Sequence, residues 1–283
     1  MEENKKMKYA VVTTFHQQGL TDYAQKMIDG YCQHWPKEIK LHIYPEKCNP
    51  AVRDHAHVTL FDLDSVQALA DFKTRWKDVP KANGDVSKDP VRSKRKDSGK
   101  GFKWHAVRFA HKVYAIFHCA QQTDADILIW MDADTICHSP ITVQDIERMI
   151  PANSELCYLG RKGKYSECGL YAMNLRSPNV QAFLKEFQRF YDQAEQGIFQ
   201  LAEWHDSFVF DAVKNKFPQM RKLDWAAHLN DLRSSPGNSQ GEGHPLINSE
   251  WGAWLDHLKG GRKKLGRSKR EDLKVTRTEA YWQ

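Results

Sequence analysis

The chain has 283 residues, a formal net charge of +6 and 41% apolar residues, nine of them Trp. That length suits one large α/β domain or two small ones. No run of about 18 apolar residues occurs, so no membrane span is expected, and the apolar stretch after the charged N-terminus, Tyr9 to Thr14, is shorter than the roughly 7–15 residues of a secretory signal core. The six cysteines form no C-x-x-C pair. Three of them, Cys119, Cys137 and Cys157, lie in or beside apolar runs, as free thiols in a reducing compartment would. A cytoplasmic protein is the expectation.

In chain order, residues 8–15 read as a first strand. A helix follows from about Asp22 to His34, with Met27, Ile28 and Tyr31 on one side. Residues 39–44 alternate Ile, Leu and Ile with Lys and His, the period of a strand. This β-α-β opening predicts a parallel sheet. Residues 61–79 read as mainly helical. Residues 81–103 are rich in Gly, Ser, Lys and Arg without any period, and they read as a mobile basic loop. Trp104 to Gln122 is a long helix. It leads into Ile127 to Met131, five apolar residues that predict a strand buried on both faces. A short helix near Val143 to Ile150, strands at Leu156 to Leu159 and Gly169 to Leu175, and a helix from about Asn179 to Ala194 follow. From Pro236 onward Gly, Trp and basic residues dominate. No repeat or linker is visible, so the expected organisation is one domain over residues 1–283 whose last third wraps back over the site.

The buried strand runs straight into Asp132 and Asp134, spaced i, i+2. Open α/β sheets place ligands at the carboxyl ends of their strands. Two carboxylates there repel one another unless a cation lies between them. Hard oxygen donors suit Mg²⁺ or Mn²⁺, with substrate phosphates completing the shell. A lone D-x-D is also common in solvated turns; the strand before it is what raises its weight. Far downstream, His257, Gly260 and Lys263 are spaced as H-x-x-G-x-x-K. An imidazole can complete a metal shell and favours Mn²⁺. The glycine permits close backbone approach to a phosphate, and the lysine can neutralise a diphosphate leaving group.

A strand followed by D-x-D, with H-x-x-G-x-x-K far downstream, resembles the nucleotide-sugar glycosyltransferases of GT-A fold, the family 8 type most closely. The resemblance implies an α/β, Rossmann-like fold with a mixed, mainly parallel sheet flanked by helices. It implies a sugar transferred from a nucleoside diphosphate sugar, a UDP-sugar foremost, with retention of configuration and with Mn²⁺ or Mg²⁺ as cofactor. Asp132, Asp134 and His257 would be metal ligands and Lys263 would grip the diphosphate. Residues 165–174, with Glu167 and Gly169, are similar to the segment lining the donor-sugar pocket. Asp206, in Trp204-His205-Asp206, lies where related families keep an acidic residue beside the sugar, as base or supporting dipole. Arg108 and Lys112 match positions that touch the nucleotide, Phe15 and His16 would meet the base, and Ala133 and Gly260 would line the donor. The chain departs from family 8 after Lys263, where Lys264-Leu265 replaces Pro-Trp. Its wording at residues 101–104, 204–207 and 245–251 also resembles glycosyltransferase-like proteins of tailed phages.

Two basic clusters exceed what a donor diphosphate needs. One holds Arg92, Lys94, Arg95, Lys96, Lys100 and Lys103. The other holds Arg262, Lys263, Lys264, Arg267, Lys269, Arg270 and Lys274. They suit a polyanionic acceptor, DNA with hydroxymethylated bases above all, such bases being flipped out to react; glycan or protein acceptors are the alternative, in which basic loops at 81–103 and 257–283 simply close over the donor. A nucleotidyltransferase would want a Gly-rich loop after the first strand, where this chain reads Thr14-Phe-His-Gln-Gln-Gly19. A non-catalytic nucleic-acid-binding protein would explain the charge and leave the two carboxylates unexplained.

Overall fold

The computed structural model describes residues 6–232 and 244–283. Nine strands are found among them: β1 Tyr9–His16, β2 Lys40–Glu46, β3 Val58–Leu60, β4 Ile127–Met131, β5 Thr135–Cys137, β6 Leu156–Leu159, β7 Glu167–Asn174, β8 Lys222–Asp224 and β9 Leu255–His257. Seven form one sheet in the order β3-β2-β1-β4-β7-β6-β8, and β5 pairs with β9 in a small second sheet. Within the large sheet β7 runs against its neighbours and the remaining strands share one direction. The expected mixed, mainly parallel sheet flanked by helices is therefore present, as a single domain.

Burial on both faces explains the composition of the central strands. Leu128 and Trp130 point into one core cluster, with the Ala106–Gln122 and Pro178–Asp192 helices. Ile127, Ile129 and Met131 point into the other, with Met27, Tyr31, Trp251 and Trp282. Each buried side chain contributes about 1.5–3 kcal/mol, so β4 is a firm anchor for the charged turn that follows it. The last forty residues share this second core through Leu246, Trp251 and Trp282.

Strand order reverses around β1: β2 and β3 lie to one side, β4 to the other. Such a switch point opens a crevice at the carboxyl ends of the two central strands. The first helix starts at Gln17, directly after β1, and continues through a π-turn at Leu20–Ala24 to His34. The expected helix at 61–79 is a 3₁₀ turn, Leu63–Ser65, and a helix, Gln67–Trp76.

The segment 81–103 carries three 3₁₀ turns, Pro80–Asn83, Arg92–Lys94 and Gly101–Trp104. Arg95 and Lys103 both pair with Asp97 and Glu203, at 2.7–3.0 Å. Arg92 pairs with Asp89, donates to the Phe199 and Leu201 carbonyls, and stacks on Trp204. Half of the first basic cluster is thus engaged within the fold, while Lys94, Lys96 and Lys100 remain exposed. All six cysteines are free, five of them buried. Among the described residues no helix is long and apolar enough to cross a membrane.

Candidate active site

The turn after β4 is fixed from two sides. Asp132 N–H donates to the Gly169 carbonyl of β7, and Thr135 N–H to the Asp132 carbonyl. Strand β5 then pairs antiparallel with β9, Thr135 opposite His257. This pairing carries the downstream histidine to the aspartates. His257 Nε2 lies 3.1 Å from Asp134 Oδ1 and 3.7 Å from Asp132 Oδ2. One ligand atom from each residue falls within 4.8 Å of the others.

The outer carboxylate oxygens are held by cations. Asp132 Oδ1 accepts from Trp130 Nε1 at 2.7 Å and Lys112 Nζ at 2.9 Å. Lys112 also donates to Asp206 Oδ2 and to the Cys168 carbonyl. Burial lowers the Lys112 pKa, but Asp132 and Asp206 outweigh it and hold the ammonium well above its ordinary value. Asp134 Oδ2 meets Lys263 Nζ at 2.8 Å. Burial would raise the Asp134 pKa; His257 and Lys263 bring it below the usual carboxylate range. The pKa of His257, lowered by burial and raised more by Asp134, lies above the ordinary histidine value.

Two carboxylates and an imidazole with converging inner atoms fit a divalent cation, and the nitrogen donor favours Mn²⁺ over Mg²⁺. A second group, Glu167, His244 and His257, also has its ligand atoms within 4.8 Å of one another. It fits poorly. Lys259 lies 2.5 Å and Arg161 3.6 Å from Glu167 Oε2, so its charge is already met by two cations. Burial raises the Glu167 pKa, yet the surrounding positive groups leave it below the normal range.

A cleft of about 520 Å³ opens beside the D-x-D turn. Phe15, His16, Arg108, Lys112, Asp132, Ala133, Asp134 and Lys263, all expected from the sequence, line it. Five other expected residues do not. His257 and Glu167 lie buried behind the turn, and Asp206 is occupied by Lys112. Gly169 makes room for a ligand: a Cβ there would come within 2.4 Å of His257 Cε1. Gly260 has φ +62°, a left-handed turn that favours glycine. Sequence reasoning missed Tyr23, His105, His111 and Glu46 in the lining. Tyr23 follows β1 by about two helical turns and carries Lys263 over its ring at 4.7 Å. His111 pairs with Glu46 across the cleft at 3.1 Å. No local spacing marks either contact.

No family model matches the chain, and no curated protein matches it. Its structure is similar to that of three solved glycosyltransferases. Mouse xyloside xylosyltransferase 1, in its apo form, has a TM-score of 0.44 at 11% identity, over 76% of this chain and 84% of that one. The WbbM bifunctional glycosyltransferase has a TM-score of 0.42 at 11% identity over 80% of this chain. The glycosyltransferase GlyE of Streptococcus pneumoniae TIGR4 has a TM-score of 0.41 at 10% identity over 77%. This chain spans 40% of the length of the WbbM protein and 45% of GlyE.

Proposed function

We propose that the chain is a GT-A-type glycosyltransferase that moves a sugar from a nucleoside diphosphate sugar, a UDP-sugar foremost, to an acceptor hydroxyl. One observation carries the reading. The β5–β9 pairing gathers Asp132, Asp134 and His257 at the end of the buried strand, and Lys263 stands beside them at the rim of a cleft of nucleotide size.

Asp132, Asp134 and His257 would hold Mn²⁺ or Mg²⁺. Bound there, a divalent cation supplies positive charge to a departing diphosphate. Lys263 adds a second cation, turning from Asp134 to a phosphate oxygen. Phe15 and His16 close the cleft around the base, with exposed Arg108 beside the phosphates. Arg262, the neighbour of Lys263, is paired with Asp272 and contributes to the shape of the loop instead. Asp206, the carboxylate offered as base by the sequence, and Glu167, in the segment expected to line the sugar pocket, are each held by cations. That supports a retaining transfer in which neither takes the acceptor proton. Asp206 then acts through Lys112, keeping the sugar side of the site charged and rigid. A nucleotidyltransferase is disfavoured because β1 passes into helix at Gln17 with no phosphate-binding loop between.

Release of nucleoside diphosphate from a panel of nucleotide sugars, with Mn²⁺, Mg²⁺ or EDTA, tests the proposal. Metal-dependent release is expected, abolished by EDTA and by Asp134→Ala in protein whose circular dichroism is unchanged. Absence of both release and nucleotide-sugar binding in every condition would sink the transferase and leave a binding module.

A further inference from the structure

Glu167 opens β7 and is buried behind the D-x-D turn, outside the lining of the donor cleft. Its two oxygens have different neighbours. Oε2 meets Lys259 Nζ at 2.5 Å, and Arg161 Nη1 and His244 Nε2 at 3.6 Å each. Oε1 faces the His257 ring, 3.9 Å from Nδ1. His257 and Lys259, two residues apart in one loop, therefore approach one carboxylate at its two oxygens. Gly169, two residues further along β7, leaves that approach open. A Cβ there would lie 2.6 Å from His257 Nδ1 and 3.3 Å from Glu167 Oε1.

The other nitrogen of the imidazole, Nε2, is the atom that faces Asp134 and Asp132. It can bind a cation only with its lone pair bare, so the proton of the neutral ring must then stand on Nδ1. Among the described residues Nδ1 is buried without a hydrogen-bond partner. A buried N–H without an acceptor is costly, and Glu167 Oε1 is the carboxylate oxygen beside it. Their separation is about 1 Å longer than a hydrogen bond, a gap of the kind that tightens when a site is loaded. His244 helps to set the plane of the ring, packing against it at 4.5 Å between centroids and 82° between planes. Strand β9 alone gives the ring little support, because it has only three residues.

We propose that Glu167 is a positioning residue for the metal centre: it accepts a hydrogen bond from His257 Nδ1–H and so presents a bare Nε2 towards Asp132 and Asp134. A carboxylate behind a ligating histidine fixes the tautomer and orientation of the ring and makes it a more basic ligand. The positive groups on Oε2 serve the same end, since they keep a buried carboxylate charged. Glu167, His244 and His257 are then one support behind the D-x-D turn and not a second metal site. The inference rests on the metal centre of the transferase reading.

The ¹⁵N spectrum of the His257 ring, together with Mn²⁺ affinity from electron paramagnetic resonance, tests it. In the wild-type protein with Zn²⁺ added as a diamagnetic probe, His257 should show a protonated Nδ1 and a metal-bound Nε2. Glu167→Gln keeps the shape of the side chain. Its carbonyl is drawn to Lys259 and Arg161, so its NH₂ group turns to Nδ1 and cannot accept from it. Mn²⁺ affinity should then fall about 10–100-fold, whereas a role in packing alone would survive this substitution. Lys259→Met should not lower the affinity, because its ammonium meets Oε2. The tautomer is read on the unaltered chain, so the test does not hang on the folding of a variant. The proposal is overturned by a wild-type ring that binds Zn²⁺ through Nδ1, by Mn²⁺ affinity unchanged in Glu167→Gln, or by an equal loss in Lys259→Met. Absence of Mn²⁺ binding to the wild-type protein would overturn it together with the metal centre. Mn²⁺ binding with the expected losses but without nucleoside diphosphate release from any nucleotide sugar would overturn the transferase alone.

Discussion

Lys112 uses its ammonium group on three protein acceptors, Asp132 Oδ1, Asp206 Oδ2 and the Cys168 carbonyl. It is buried, so a neutral replacement would leave two carboxylates facing one another without a counter-charge. Breaking a buried ion pair from one side costs about 3–5 kcal/mol. Lys112→Met is accordingly expected to lower the unfolding free energy by that order in a urea titration, whereas exposed Arg108→Met should stay within about 0.5 kcal/mol. A near-neutral Lys112→Met would mean that the cluster is wet and the lysine mobile. In the sequence Arg108 and Lys112 look alike, two cations one turn apart on one helix, and both do reach the cleft. What separates them is the set of distant acceptors, which spacing cannot supply. The same holds for Asp206: an acid after Trp-His is visible, but its lysine partner is not. The D-x-D carboxylates, His257 and Lys263 stand out in the sequence by their spacing, and the structure brings the four side chains together.

At the scale of elements, legibility followed length and hydrophobicity. Strand β4 announces itself by five buried apolar residues. Strands β5 and β9 have three residues each, too few for a period, yet their pairing assembles the candidate metal centre. The start of β7 was hidden because its first residue, Glu167, is charged and buried against cations from other parts of the chain. Residues 81–103 read as a free loop because composition does not reveal Glu203, about a hundred residues away, between Arg95 and Lys103. The contact between β7 and β9 gives a direct test of the centre. In Gly169→Ala the new methyl must displace His257, since its Cβ would lie 2.4 Å from Cε1. Loss of support behind a metal ligand typically costs 10–100-fold in affinity. Mn²⁺ affinity measured by electron paramagnetic resonance should therefore fall at least about tenfold in Gly169→Ala and remain unchanged in Gly99→Ala, where a Cβ meets nothing. Unchanged affinity in Gly169→Ala would remove His257 from the shell.

Over the whole molecule, the thirteen histidines set the response to acid. Burial lowers the pKa of His42, His57, His111 and His205, and pushes His138 down to about 4. His138 is half-buried against the Tyr281 ring at 3.9 Å, where the nearby acids Asp256 and Glu279 only partly offset its desolvation. These imidazoles are neutral in the fold and titrate near 6.5 once unfolded. Between those values the unfolded chain binds more protons, so stability is complete above pH about 6.5 and falls as the pH drops towards 4. One pH unit below 6.5, His138 alone accounts for about 1 kcal/mol. His257, whose pKa is raised, works in the opposite sense but is a single group. The carboxylates held low by cations, Asp97 and Glu186 among them, lose stability only as unfolded carboxylates begin to protonate, near pH 4. The midpoint of thermal unfolding should therefore fall by several degrees from pH about 7.5 to about 5.5, at roughly 2–4 °C per kcal/mol for a domain of this size. His138→Gln should flatten that slope. A midpoint that holds level across this interval would mean that the histidine sites open to water before the fold does, and that burial is not what keeps them neutral.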